Sequence, residues 1–165
     1  MSAARQRRTA GCAAVLDEAQ LVAWGERIGA AVTVPVVLAL RGELGAGKSV
    51  LARAIARGAG VSGPMPSPTF NLLFRYRGSR GVEVVHLDLF RLEQPEDVFE
   101  LGWQDLGEDE ELVMVEWPER AEELLPACRW DIRLESAGEL HRRVSAVPCA
   151  EPPSLPALPE AGRIE

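Results

Sequence analysis

Apolar and polar positions along this chain of 165 residues change period several times, and the changes outline alternating strands and helices. From Asp17 to Ala31, Leu21, Trp24 and Ile28 recur at helical spacing behind Asp17 and Glu18, which predicts a first helix. Residues Val34 to Leu40 form a short apolar, β-branched run of the kind that fills a buried parallel strand. Val50 to Arg57 combines strong helix formers with arginines that can face water, and Gly58 stops it. Gly60 to Thr69 is rich in proline and glycine and reads as a loop. Phe70–Tyr76 and Val82–Leu87 flank Arg77–Gly81 and predict an antiparallel hairpin. A short acidic helix is expected over Pro95–Leu101, a buried strand over Leu112–Val115 and a helix from Pro118 to Leu125, ended by Pro126. Trp130–Leu134 and Leu140–Val147 predict a second hairpin around Ser136–Glu139. Residues 148–165 carry prolines 148, 152, 153, 156 and 159 with little periodicity, and are expected to be a disordered tail. Residues 1–14 are expected to be a flexible tail, and 15–147 the single folded domain.

Composition narrows the function classes. The net charge of −7 disfavours strong direct binding to a nucleic-acid backbone, which needs a basic face. The three cysteines, Cys12, Cys128 and Cys149, are odd in number and widely spaced. They match neither a disulfide framework nor a zinc pattern, as expected of a protein from a reducing cytoplasm. No apolar run reaches transmembrane length, so no membrane contact is expected. Arg5, Arg7 and Arg8 precede a stretch interrupted by Asp17 and Glu18, a poor signal peptide.

The chemistry begins with the only lysine in the chain. Gly42-Glu43-Leu44-Gly45-Ala46-Gly47-Lys48-Ser49 matches G-x-x-x-x-G-K-[ST] in full, with a predicted strand before it and a predicted helix after it. The glycines let backbone N–H groups converge on phosphates, and the helix start turns its positive dipole end toward the anion. A compact ammonium reaches phosphate oxygens where a planar guanidinium is too wide, which explains a lysine in a chain that otherwise uses arginine. Ser49 offers a hydroxyl to Mg²⁺.

Two strand ends carry acids. Leu112-Val113-Met114-Val115 ends in Glu116, and Val84-Val85-His86-Leu87 ends in Asp88. In phosphate-loop proteins an acid at such a place faces the Mg²⁺ beside the loop serine, and a second can orient or deprotonate the attacking water. The sequence leaves open which acid takes which role. His86 is read as a packed strand residue. Ser67-Pro68-Thr69-Phe70 is a rigid segment with a hydroxyl at Thr69 that can sense a γ-phosphate, as switch loops do. Trp117 at the strand exit is a candidate for core packing, partner anchoring or covering the site.

Taken together, Leu40 to Ser49, Ser67-Pro68-Thr69-Phe70, His86-Leu87-Asp88-Leu89-Phe90-Arg91-Leu92 and Glu116-Trp117-Pro118-Glu119-Arg120 resemble the TsaE family, also called YjeE, in order and spacing. The resemblance covers residues 15–147. It implies a three-layer α/β fold of the phosphate-loop NTPase kind, with a mixed, mainly parallel sheet and added β-hairpins. It implies ATP and Mg²⁺ as cofactors, weak ATP hydrolysis by the isolated protein, and a role in threonylcarbamoyladenosine modification of transfer RNA. In that role ATP would reset a threonylcarbamoyl-transferase complex of TsaD- and TsaB-type proteins between turnovers, with transfer RNA met through those partners. By motif match, residues 42–49 hold phosphates. Ser49, Asp88 and Glu116 belong to the metal site, and Asp88 and Glu116 are the essential acids. Thr69 lies in the switch loop and Trp117 beside the nucleotide. The chain departs from the family pattern at Ser49 for threonine, Phe90 for tyrosine, Asn71 for threonine and in its proline-rich tail.

Two other readings compete. A nucleotide-gated binding module would bind ATP without releasing phosphate. A small-molecule kinase would need an acceptor pocket and lid arginines, and Arg75, Arg77 and Arg80 fit a hairpin turn better. A regulatory GTPase is disfavoured, because no second lysine exists to build its N-K-x-D element.

Overall fold

The structure is a computed structural model and describes residues 11–66 and 72–160. Seven strands and two α-helices run in the order β1 (Cys12–Asp17), α1 (Glu18–Ala31), β2 (Val36–Arg41), α2 (Lys48–Gly58), β3 (Leu73–Arg77), β4 (Glu83–Asp88), β5 (Glu111–Glu116), β6 (Arg129–Ser136) and β7 (His141–Cys149). All seven strands share one sheet in the order β1-β7-β6-β2-β5-β4-β3. The central four, β6, β2, β5 and β4, are parallel. Antiparallel strands extend both sides, β3 beside β4 and β7 then β1 beyond β6. The expected mixed, mainly parallel sheet with hairpin additions is therefore what the chain builds.

Strand alternation divides the core. Leu38, Leu40, Leu112, Met114, Val84 and Ile132 face α1 and α2 and form the larger apolar cluster with Trp24, Ile28, Leu51 and Ile55. The intervening Val37, Val85, Leu87, Val113 and Val115 face the other way, onto Val98, Trp103 and Ala121. That second layer is thin, built from 3₁₀ turns at Pro95–Leu101, Trp103–Asp105 and Pro118–Leu124. The expected helices over 95–101 and 118–125 are thus 3₁₀, and the second is broken at Ala121 (φ −137°, ψ 37°). Each is too short to gain from the longer hydrogen-bond ladder of an α-helix.

Helix α1 begins as its sequence dictates. Asp17 accepts from the Gln20 backbone N–H at 2.8 Å, and the Gln20 side chain accepts from the Asp17 N–H at 2.9 Å. This reciprocal cap satisfies two N–H groups that a helix start leaves open.

Both termini differ from expectation. Residues 12–14, expected in a flexible tail, pair with β7 in register Cys12↔Ala146 to Ala14↔Val144. The pairing buries Leu16 completely and gives β7 a neighbour it would otherwise lack. The tail after β7, expected to be disordered, packs on the larger core cluster through Leu155 and Leu158. The Trp130 indole donates to Pro153 O at 2.8 Å, and the Trp24 indole to Pro156 O at 3.0 Å. The tail has neither helical nor strand periodicity, because a segment held through its backbone carbonyls needs neither. No helix of the described residues is long and apolar enough to cross a membrane.

Candidate functional site

The phosphate loop joins the C-terminal end of β2 to the start of α2, at the edge of the sheet where parallel strands present their carboxyl ends. Gly42 has φ +150° and leaves no room for a side chain, since a Cβ there would lie 2.5 Å from Leu134 O. Gly47 caps α2 in the left-handed region (φ +106°) and offers no side-chain oxygen, so the first N–H groups of the helix are not closed by a side-chain cap. The loop is braced from outside. Arg142 of β7 donates to Ala46 O at 3.1 Å and Gly45 O at 3.4 Å. The Ala46 N–H in turn donates to Glu43 O at 3.0 Å, which closes a tight turn within the loop.

Lys48 is 5% exposed. Its ammonium donates to the carbonyls of Gly42 and Glu43, and lies 3.9 Å from the centre of the Trp117 ring. Burial pushes its pKa below the ordinary lysine range, although the carboxylates of Glu116, Glu119 and Asp88 oppose that shift. A partly desolvated cation of this kind gains most from an anion that arrives beside it.

Strand register sets the acids. Asp88 and Glu116 are paired neighbours at the ends of β4 and β5, and Glu116 also stands opposite Leu40, two residues before the loop's first glycine. Ser49 donates to Glu116 Oε1 at 2.8 Å. The other oxygen, Oε2, lies 2.6 Å from His86 Nε2, and the carboxylate is 1% exposed. Asp88 accepts from the Phe90 backbone N–H at 3.0 Å. Burial holds its carboxyl above the usual range, the nearby Glu116 adding to the shift and the Phe90 N–H, His86 and Lys48 opposing it.

Trp117 closes the other side of this cluster. Its backbone is in the left-handed region (φ 55°, ψ 48°), an uncommon conformation for so large a side chain, and such strain gathers at functional positions. The ring packs against Phe90 at 4.9 Å between centroids, and the Arg120 guanidinium lies 5.8 Å from Phe90. Phe90 thus supplies an aromatic contact to the ring with no hydroxyl of its own. Between the loop and the ends of β6 and β7 opens a cleft of about 820 Å³, lined by residues 42–46, Trp117, Glu119, Arg133, Glu135, Ser136 and Arg142. That size suits a nucleotide-sized ligand.

The structure therefore brings together Lys48, Ser49, Asp88, Glu116 and Trp117. Thr69, with the whole Ser67–Asn71 segment, lies outside the described residues. Two residues of the site escaped sequence reasoning. His86 shares a strand face with Asp88 two residues on, a signal the alternation carried. Arg142 gave none, because its partner is fixed only by how the hairpin meets the loop. Arg75, one of the lid arginines a kinase would need, is tied to Glu83 of β4 at 2.8 Å and Glu111 of β5 at 3.0 Å, a cross-strand role.

Among the described residues no group of three or more His, Cys, Asp or Glu side chains could hold a metal unaided. A hydroxyl and two carboxylates beside a phosphate loop do fit Mg²⁺, which keeps several waters and takes its remaining ligands from substrate phosphates. Ser49 and Glu116 are the residues that would hold it, with Asp88 beside them as the paired neighbour of Glu116.

Comparison with known proteins agrees with this geometry. The family profile described as "Threonylcarbamoyl adenosine biosynthesis protein TsaE" matches residues 15–144. The protein named "tRNA threonylcarbamoyladenosine biosynthesis protein TsaE" from Mycobacterium tuberculosis is 37% identical over 150 residues, 86% of this chain and 89% of that protein. The protein of the same name from Treponema pallidum is 32% identical over 122 residues, covering 74% and 89%. That from Synechocystis sp. is 39% identical over 106 residues, covering 61% and 66%. The crystal structure of Bacillus subtilis YdiB is similar in fold, with a TM-score of 0.66 and 24% identity over 85% of this chain and 86% of that one. A profile match over most of the sheet and the whole site, together with these relatives, establishes that the chain belongs to the TsaE family.

Proposed function

We propose that this protein binds Mg–ATP in the phosphate loop and hydrolyses it slowly, as a subunit required for threonylcarbamoyladenosine modification of transfer RNA. The observation that carries the reading is the Ser49–Glu116 hydrogen bond at 2.8 Å, with Asp88 the paired neighbour of Glu116. It joins the loop's metal-side hydroxyl to one acid and sets a second acid beside it.

The two acids divide the work by their surroundings. Glu116 has both oxygens engaged, one by Ser49 and one by His86, so its direction is fixed and it belongs on the metal side. Asp88 has one oxygen held by Phe90 N–H and a carboxyl whose proton affinity burial has raised. It is the better base. It takes a proton from the attacking water as the water oxygen bonds to the γ-phosphorus and the bond to the β-phosphate bridging oxygen breaks, releasing ADP and phosphate. Lys48 and the loop N–H groups neutralise the phosphate oxygens throughout. Mg²⁺, when bound, supplies further charge neutralisation there.

The partners in this reading are threonylcarbamoyl-transferase proteins of the TsaD and TsaB type, reset between turnovers by ATP binding and hydrolysis in the cytoplasm. The net charge of −7 supports contact with transfer RNA through them. The test is phosphate release by the purified protein with Mg²⁺, alone and with those partners. Slow release that requires Lys48, with multiple turnovers of the transferase restored, is the expected result. ATP binding without phosphate release under both conditions would replace this reading with a nucleotide-gated binding module.

A further inference from the structure

The segment after β7 is held in a way the phosphate-loop site does not explain. It lies outside residues 15–144, the part matched by the TsaE profile. Over residues 151–160 exposure repeats every third residue. Glu151, Ser154, Ala157 and Glu160 face water, while the pairs between them, Pro152-Pro153, Leu155-Pro156 and Leu158-Pro159, are half-buried. A period of three is that of the left-handed polyproline II helix, not of a strand or an α-helix. The hydrogen bonds keep the same period. The Trp130 indole donates to Pro153 O at 2.8 Å and the Trp24 indole to Pro156 O at 3.0 Å, three residues apart. The Arg27 guanidinium donates to Ala157 O. Leu155 and Leu158, also three apart, pack on the apolar cluster that contains both tryptophans.

Polyproline segments are recognised in this manner. Their carbonyls are unpaired and project at regular intervals, aromatic walls take the rings, and an indole N–H supplies the hydrogen bond. We infer that the face made by Trp24 and Arg27 of α1 and Trp130 of β6 is a polyproline-recognition groove, occupied in cis by residues 151–160 of the same chain. The occupant stays seated because it is tethered through β7, at an effective concentration on the order of millimolar. The groove meets α1, whose Leu21 side chain borders Gly47 of the phosphate loop, so the strap clamps the helix that backs the loop.

The test uses the full chain with Trp indoles labelled for nuclear magnetic resonance. Leu155→Asp with Leu158→Asp removes the two apolar anchors. In that double variant, indole N–H exchange at Trp24 and Trp130 is expected to quicken at least about tenfold. Trp103, whose indole donates to Leu124 O at 2.7 Å, is the internal control and stays as it was. A synthetic peptide of residues 150–160 is expected to bind the variant with Kd below about 1 mM and restore protection, but not to bind the wild-type chain. A peptide of the same composition with its prolines off the three-residue spacing is expected not to bind. Unchanged indole exchange in the variant, or equal binding of both peptides, would overturn the inference. A second pair of variants does not depend on the double variant folding. Ser154→Pro and Ala157→Pro place proline at the water-facing positions, where polyproline II geometry accepts it, so each is expected to raise the melting temperature by about one to a few degrees. A lower melting temperature for both would also overturn it.

Discussion

Lys48 and Glu116 show how single residues of this site are prepared by burial. The Lys48 ammonium is shielded from water and bonded to two loop carbonyls, an arrangement a phosphate outcompetes because it brings full negative charge. Lys48→Ala is therefore expected to weaken ATP binding about 100-fold or more, measured by titration calorimetry. Unchanged affinity would remove lysine from the site. Asp88→Asn keeps the shape and an acceptor for the Phe90 N–H but cannot take a proton. It is expected to lose about 100-fold or more of hydrolysis, while ATP affinity shifts less than about tenfold. Full turnover in this variant would return the base to Glu116 or to water.

At the scale of elements, two devices join the helices and strands that carry the site. Helices α1 and α2 approach closely at Gly29, where a Cβ would fall 1.9 Å from Ile55 O. Any side chain there must push α2 away, and α2 begins with Lys48 and Ser49. Gly29→Val is expected to cost about 3 kcal/mol in denaturant unfolding and to weaken nucleotide binding with it. The second device is ionic. Arg41, at the end of β2, donates to Asp131 of β6 at 2.9 Å and to Glu122 at 2.7 and 2.9 Å, tying both to the strand that leads into the loop. Burial pushes Asp131 upward, but hydrogen bonds from Cys149, Arg41 and Arg129 outweigh it and hold the carboxyl below its ordinary value of 3.8. For an acid held low in the folded state, the stabilisation is present above the unfolded pKa and is lost as pH falls through the folded one. Asp131→Asn is thus expected to destabilise by about 2 kcal/mol at pH 7, with the gap to wild type closing as pH falls below about 4. A gap independent of pH would mean that the loss is one of shape.

For the whole molecule, the sheet is completed by segments distant in sequence. Among the described residues strand β1 pairs only with β7, and the tail after β7 covers Trp24 and Trp130. Deleting residues 150–165 uncovers two leucines' packing and releases two indole hydrogen bonds, about 3 kcal/mol together. The melting temperature is expected to fall by roughly 6–12 °C in a thermal scan. No change would show that the strap contributes nothing to the fold. Nucleotide binding by the truncated chain, measured alongside, reports how far the clamp on α1 reaches the phosphate loop.

Much of this was legible in the chain itself. Short apolar strands, the Asp17 cap and the glycine loop with its lysine are local features, decided by steric and periodic rules that act within a few residues. They determine α1, the strand–loop–helix unit and the strand-end acids independently of any distant contact. What the tertiary structure alone decided depends on register between distant strands and on the meeting of surfaces. The engagement of Glu116 by both Ser49 and His86 follows from β2, β4 and β5 lying parallel in one register. The brace from Arg142 exists only because the β6–β7 hairpin folds against the loop. The tail read as disordered because a three-residue period carries no internal hydrogen bonds, and its partners, Trp24 and Trp130, lie 132 and 23 residues away.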